Sequence, residues 1–70
     1  MPIVRIEMLP GRSLAQKREL ARVITKAVSE IAHADPGETL VLFNEYSIED
    51  WASGGRLRVD QVEDEAQAEG

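Results

Sequence analysis

The sequence contains no cysteine and only one histidine, His33, among its 70 residues. The absence of cysteine excludes disulfide bonds, thiolate nucleophiles and cysteine-based zinc sites. A single histidine cannot build a metal site without several carboxylates, so we expect no metal and no cofactor. A chain this short lies near the lower limit of independent stability. Because disulfides are excluded and no metal is expected, oligomerisation is the expected source of additional stability.

Long hydrophobic runs and a basic surface are missing as well. No apolar run approaches the 18 or so residues that span a membrane, and the N-terminal segment MPIVRIEML lacks the basic start of a signal peptide. The net charge is −5. Residues 1–58 contain all eight Lys and Arg and eight of the thirteen acidic residues, so the excess acid lies near the C-terminus. We therefore expect a soluble, cytoplasmic protein that binds neither nucleic acid nor membranes.

The first half of the chain has the pattern of a strand followed by a helix. Apolar and polar side chains alternate over residues 3–9, as in a strand with one buried face. Pro10 and Gly11 end this strand. Ser13 and Gln16 have the spacing of a capping box, which predicts a helix over residues 14–33. The predicted apolar stripe of this helix consists of Leu20, Ile24, Ala27, Val28 and Ile31.

The second half begins with another strand, predicted over residues 40–46. Its first four residues are all apolar, which suggests burial on both faces. A turn at residues 53–55 (Ser-Gly-Gly) and a short strand at residues 56–59 complete a small hairpin. The expected organisation is a β-α-β domain over residues 1–58 and an acidic, flexible tail over residues 59–70, which is disordered or becomes ordered only against a partner.

These elements predict an α/β (α+β) fold with a single β-α-β unit and a C-terminal β-hairpin. Two strands joined by a long helix should be parallel. One such unit leaves two open sheet edges and one sheet face without cover. We therefore expect several protomers to assemble through these surfaces.

Pro2 is the residue with the most distinctive chemistry. A methionine followed by a small residue is commonly removed, which would leave Pro2 with a free secondary amine. An N-terminal amine has an ordinary pKa near 8. An apolar pocket and a nearby arginine would both lower this pKa towards the range that suits a general base. Alternatively, proline occurs at this position only by chance and has no catalytic role.

Several segments together resemble the 4-oxalocrotonate tautomerase family. They are a proline-first strand at residues 2–6 (PIVRI), a turn at residues 9–13 (LPGRS), Asp35-Pro36, an apolar strand ending at Glu45, and residues 50–55 (DWASGG). The resemblance covers residues 2 to about 56. It implies a tautomerase-like fold assembled into a homohexamer (a trimer of dimers) or a heterohexamer. It also implies a small unsaturated or 2-oxo carboxylic acid as substrate.

The resemblance also assigns roles to individual residues. Pro2 would be the catalytic base or acid, and Arg12 would bind a substrate carboxylate through two parallel donors. Trp51 would form the apolar wall of the pocket. Alternatively, Arg12 is only a solvated turn residue and Trp51 only packs in the hairpin.

Leu40 departs from the family pattern. It occupies a substrate-binding position where 4-oxalocrotonate tautomerases have an arginine that polarises the substrate carbonyl, and leucine has no donor. Two other functions therefore stay open: a dehalogenase, hydratase or decarboxylase of the same superfamily, or a non-catalytic subunit of a hetero-oligomer. Possible substitutes for the missing donor are Arg5, Arg56 and Arg58, and possible acids for water activation are Glu45, Glu49 and Asp50.

Overall fold

A computed structural model describes residues 1–69, with side chains described as far as residue 65. The order of elements is β1 (Ile3–Met8), α1 (Leu14–Ala32), a 3-10 turn (Pro36–Glu38), β2 (Leu40–Glu45), β3 (Ala52–Ser53), β4 (Arg56–Leu57) and α2 (Arg58–Glu69). The predicted β-α-β unit and hairpin are confirmed. In the described part of the chain, no helix is both long and apolar enough to cross a membrane.

β1 and β2 form a parallel pair, as predicted from the long crossover between them. The register runs from Ile3 opposite Leu40 to Met8 opposite Glu45. The ladder continues beyond β2, since the Tyr46 amide donates to the Met8 carbonyl at 3.0 Å. Each strand ends one residue earlier than the sequence pattern suggests.

α1 begins with the predicted capping box. The Gln16 amide donates to the Ser13 hydroxyl at 3.1 Å, and the Ser13 amide donates to the Gln16 side-chain oxygen at 2.8 Å. These bonds satisfy amide donors that the first turn of a helix leaves without partners. The helix ends at Ala32, and His33 follows as its C-cap in the left-handed conformation with φ of 55°.

The sheet has one face covered by α1 and one open face. Val4, Ile6 and Phe43 are half-buried beneath the helix. On the open face, Ile3 is 51% exposed, and Leu40 and Leu42 are each 41% exposed. The prediction that β2 is buried on both faces is therefore wrong for the single chain, because one layer of helix covers only one side of the sheet.

The apolar stripe of α1 is only partly covered. Ile24 and Val28 are half-buried, whereas Leu20 is 37% exposed and Ile31 is 80% exposed. Among residues 1–65, no side chain is fully buried. A single protomer therefore has two layers in contact but no closed hydrophobic core.

The C-terminal segment is a helix rather than an irregular tail. α2 starts at Arg58, so the predicted last strand is limited to Arg56–Leu57. Gln61 donates to the Ser53 hydroxyl at 3.1 Å, and Asp64 forms an ion pair with Arg56. These contacts hold α2 against the hairpin. Residues 59–69 are therefore helical and not irregular, as a disordered tail would be, and residue 70 lies outside the described residues. The flexibility of this segment and the domain boundary at residue 58 stay predictions.

Candidate active site

Pro2 lies at the amino end of β1. It is half-buried, and its carbonyl oxygen accepts a hydrogen bond from the Leu40 amide at 3.0 Å. Met1 is 81% exposed, so the N-terminal peptide bond lies at the surface. With Met1 attached, the Pro2 nitrogen belongs to an amide and has no basicity. The chemistry predicted for Pro2 therefore depends on the removal of Met1.

Leu40 is the immediate neighbour of Pro2 across the sheet. The pair Ile3 and Leu40 begins the register, and both side chains are on the open face. The surface next to Pro2 is therefore apolar. An apolar surface disfavours the protonated form of an amine and lowers its pKa.

Arg12 lies in the turn after β1, at the opposite end of the strand from Pro2. Gly11 has φ of 124°, a conformation that side chains disfavour, and it lets the chain reverse direction before α1. Arg12 is exposed, and within the described part of the chain no carboxylate forms an ion pair with it. Its guanidinium group is therefore available to an anion.

Trp51 follows β2 and packs beside Tyr46, with ring centroids 5.9 Å apart and ring planes inclined at 54°. A shallow cavity of about 300 Å³ lies here, lined by Glu7, Tyr46, Asp50, Trp51 and Ala52. The Tyr46 hydroxyl is 3.3 Å from Glu7 Oε1. Two carboxylates in this lining repel an anion, so within one chain this cavity alone does not suit a carboxylate substrate.

One chain does not bring all of the predicted site residues together. Pro2 and Leu40 lie at the amino ends of the strands, whereas Arg12 and Trp51 lie beyond the carboxyl ends. A strand rises about 3.3 Å per residue, so these two groups are separated by roughly 20 Å. A site that uses Pro2, Arg12 and Trp51 together must therefore combine residues from different copies of the chain.

The three acids proposed for water activation have different surroundings. Glu45 forms an ion pair with Lys17 at the start of α1. Glu49 is exposed in the turn after β2 and does not line the cavity. Asp50 lines the cavity beside Trp51, so it is the one of these three acids that shares a cavity with a predicted site residue.

Two features of this region were not found from the sequence pattern. The first is the contact between Tyr46 and Glu7, which lie on the same face of the sheet as diagonal neighbours, since Glu7 is opposite Asn44 in the register. The second is the pairing of Arg56 and Arg58 with Asp64 and Glu65 of α2. Because the sequence pattern does not predict a helix in this segment, it also does not predict these ion pairs.

A larger cavity of about 520 Å³ lies between α1 and the 3-10 turn, and its lining includes Arg22, Lys26 and Pro36 but none of the predicted site residues. The Arg22 side chain donates to Glu19 at 3.2 Å. This hydrogen bond and the opposite charge raise the pKa of Arg22 and lower the pKa of Glu19. Among the described residues, no group of three His, Cys, Asp or Glu side chains could hold a metal ion.

The family model described as "Tautomerase enzyme" matches residues 2–61. This chain belongs to the tautomerase family. A "Probable tautomerase" of Bacillus cereus is 39% identical over 61 residues, which cover 87% of this chain and 100% of the relative. The match to this family confirms the resemblance that the sequence segments suggested.

Solved structures of 4-oxalocrotonate tautomerases have the same fold as this tautomerase-family chain. One of the isozymes from Methylibium petroleiphilum is 28% identical with a TM-score of 0.84, and the match covers 90% of this chain and 98% of that one. A heterohexamer 4-oxalocrotonate tautomerase from Chloroflexus aurantiacus is 33% identical with a TM-score of 0.78, covering 86% and 97%. The chain therefore has the fold of the 4-oxalocrotonate tautomerase group.

Proposed function

We propose that this protein is a cofactor-free tautomerase in which Pro2, after removal of Met1, transfers a proton on a small unsaturated or 2-oxo carboxylic acid. The observation that carries the proposal is that the region matched by the family begins at a proline. Once freed, this residue has a secondary amine next to an apolar surface. Such an amine takes a proton from one carbon of a dienol or enol and returns it to another.

Arg12 and Trp51 complete the proposed site. The Arg12 guanidinium binds the substrate carboxylate through two parallel donors, and Trp51 excludes water on one side. Because these residues and Pro2 lie at opposite ends of the strands, we propose that the site forms between copies of the chain. A hexamer built as a trimer of dimers provides such junctions. The related Chloroflexus aurantiacus tautomerase is a heterohexamer, and a hetero-oligomer in which a second, similar chain takes the place of some copies would form the same junctions.

Two measurements test the role of Pro2. Intact-mass spectrometry should give a mass that is lower by one methionine, and wild type should interconvert the tautomers of phenylenolpyruvate or 2-hydroxymuconate. Pro2→Ala replaces the secondary amine with a primary amine and loosens the backbone, so kcat should fall substantially. Unchanged activity in Pro2→Ala, or a full-length mass in an active preparation, would overturn the proposal.

A second candidate function is hydration or dehalogenation at the same proline, favoured by the position of Asp50 beside Trp51 in one cavity. A carboxylate there can activate a water molecule while the protonated Pro2 of another copy acts as an acid, because Pro2 and Asp50 of one chain lie at opposite ends of the strands. Release of halide from 3-haloacrylates by wild type, and its loss in Asp50→Asn, would support this function. Tautomerase activity without halide release would exclude it for these substrates.

A further inference from the structure

Proton transfer beside a carbonyl leaves negative charge on an oxygen, and a donor is needed to stabilise it. Leu40, which binds the Pro2 carbonyl through its main chain, has no side-chain donor. The chain contains three other arginines that could supply one near the proposed site: Arg5, Arg56 and Arg58. Their surroundings in the structure differ.

Arg56 and Arg58 are already engaged by α2. Arg56 forms an ion pair with Asp64, and Arg58 contacts both Glu65 and Gln61 at 3.3 Å. A substrate anion would have to compete with these carboxylates for either guanidinium group. Both guanidinium groups, one from β4 and one from the first residue of α2, therefore already contact carboxylates of the acidic helix.

Arg5 has different neighbours. Strand alternation places it on the open sheet face, between Ile3 and Glu7, and directly opposite Leu42 in the register. Within the described part of the chain it forms no ion pair. Glu7, the nearest acid along the strand, contacts the Tyr46 hydroxyl at the far side from Pro2.

The position of Arg5 also suits an approach to Pro2. The two Cα atoms are three residues apart along one strand, which corresponds to about 10 Å. A long arginine side chain directed along the strand covers much of this distance. The apolar side chains of Ile3 and Leu40 lie between Pro2 and Arg5. If another copy covers this face, the Arg5 guanidinium loses its hydration, and without a bound anion this has a high free-energy cost.

We infer that Arg5 is a substrate-binding residue that donates to the oxygen next to the carbon protonated or deprotonated by Pro2. This inference rests on the proposed function and extends it. Arg5 supplies near Pro2 the donor that Leu40 lacks, while Arg12 of another copy binds the distant carboxylate. The substrate that fits both arginines has two separated anionic or carbonyl oxygens, as in a 2-oxo dicarboxylate or its enol.

Steady-state kinetics with 2-hydroxymuconate test the inference. Arg5→Gln should lower kcat by about 10²-fold, the usual effect of losing one such donor, and Arg5→Lys should lower it less. The double variant Arg5→Gln/Leu40→Arg should recover at least tenfold, because the new guanidinium lies on the same face next to Pro2. Arg18→Gln, on the exposed surface of α1, is the matched control and should leave kcat unchanged.

Sedimentation and ligand binding separate the other outcomes. If Arg5 only stabilises an interface, Arg5→Gln will dissociate the oligomer, and Leu40→Arg will not restore kcat. Binding of 2-oxoadipate, followed by the fluorescence of the single tryptophan, tests Arg5 even if no tautomerisation is found. A tenfold weaker Kd in Arg5→Gln than in wild type supports the inference, whereas equal Kd values, or no binding to wild type, would overturn it.

Discussion

At the scale of single residues, charge is distributed unevenly along the sheet. The end of the strands that carries Pro2 is bordered by Ile3 and Leu40, whereas the other end carries Glu7, Asp50 and Arg12. An amine is more easily deprotonated in apolar surroundings and less easily beside carboxylates. The placement of Pro2 at the apolar end therefore supports the proposal that, once Met1 is removed, it acts as a base near neutral pH.

Arg12→Ala should weaken substrate binding more than it slows the chemical step. A hydrogen-bonded contact to a charged group contributes about 1.5–3 kcal/mol, which corresponds to a rise in KM of about 10- to 150-fold. If the contact is the same in the ground and transition states, kcat stays nearly constant. Steady-state kinetics with Arg18→Ala as control check this, and an unchanged KM would mean that Arg12 is only a solvated turn residue.

Arg22→Gln should raise the pKa of Glu19 towards its ordinary range. The Arg22 hydrogen bond, followed by its charge, lowers the pKa of Glu19 in the folded chain. A lowered carboxylate pKa stabilises the fold above the ordinary pKa of glutamate, and this contribution disappears as the pH falls through the lowered value. Carboxyl-carbon NMR titration of Glu19 gives the measurement, with Arg18→Gln as the control that should not alter it.

At the scale of elements, α2 joins the hairpin through side chains that are mostly exposed. Asp64 and Arg56 are 59% and 54% exposed in their ion pair, and Glu65 is 64% exposed in its contact with Arg58. Exposed ion pairs contribute about 0–1 kcal/mol each because water and salt screen them. The helix therefore orders the two arginines without adding much stability to the β-α-β unit.

Truncation after Val59 should leave the stability of the folded chain nearly unchanged, with a loss of about 1 kcal/mol or less. Circular dichroism melts of the truncated and full-length chains check this at equal protomer concentration. Asp64→Asn/Glu65→Gln is the matched control, because it removes both ion pairs and keeps the helix. A much larger loss on truncation than in the control would show that α2 packs against another copy.

The β-α-β unit could be predicted because its local signals agree with its tertiary contacts. The alternation around Val4 and Ile6 is typical of a strand, and the capping box at Ser13 is typical of the start of a helix. α2 lacks such signals: no capping box precedes Arg58, and acidic side chains interrupt its apolar positions. Its composition of Glu, Gln and Ala is typical of helices, and Asp60 in the first turn favours one. These weaker signals could have indicated the helix.

The sequence predicts which residues belong to the candidate site, but it does not predict how they come together in space. Pro2, Arg12 and Trp51 each have suitable chemistry, yet the parallel register puts Pro2 and Trp51 at opposite ends of the sheet. The predicted parallel pairing already implies this separation, but it does not show which copies of the chain bring the two ends together. The arrangement of the copies depends on contacts between chains, which the local sequence signals of one chain do not encode.

At the scale of the whole molecule, the single chain is extended. Its radius of gyration is 16.6 Å, and it measures 51 × 24 × 17 Å. A compact chain of 70 residues would have a radius of gyration of about 11 Å. The difference arises because the hairpin and α2 do not fold back over the open sheet face. An extended chain without a closed core is expected to be stable only as part of an assembly.

Leu42→Lys should therefore dissociate the assembly. Leu42 is 41% exposed at the centre of the open sheet face, so covering it with another copy contributes about 1 kcal/mol, and a buried ammonium group in its place would lose its hydration without a partner. Sedimentation velocity at micromolar concentration should show a smaller species than wild type, and the Tm should become lower and more dependent on concentration. Leu14→Lys, a similar change at the exposed start of α1, is the control that should keep the wild-type size. A wild-type chain that sediments as a stable, folded monomer would contradict both the assembly and the site between copies.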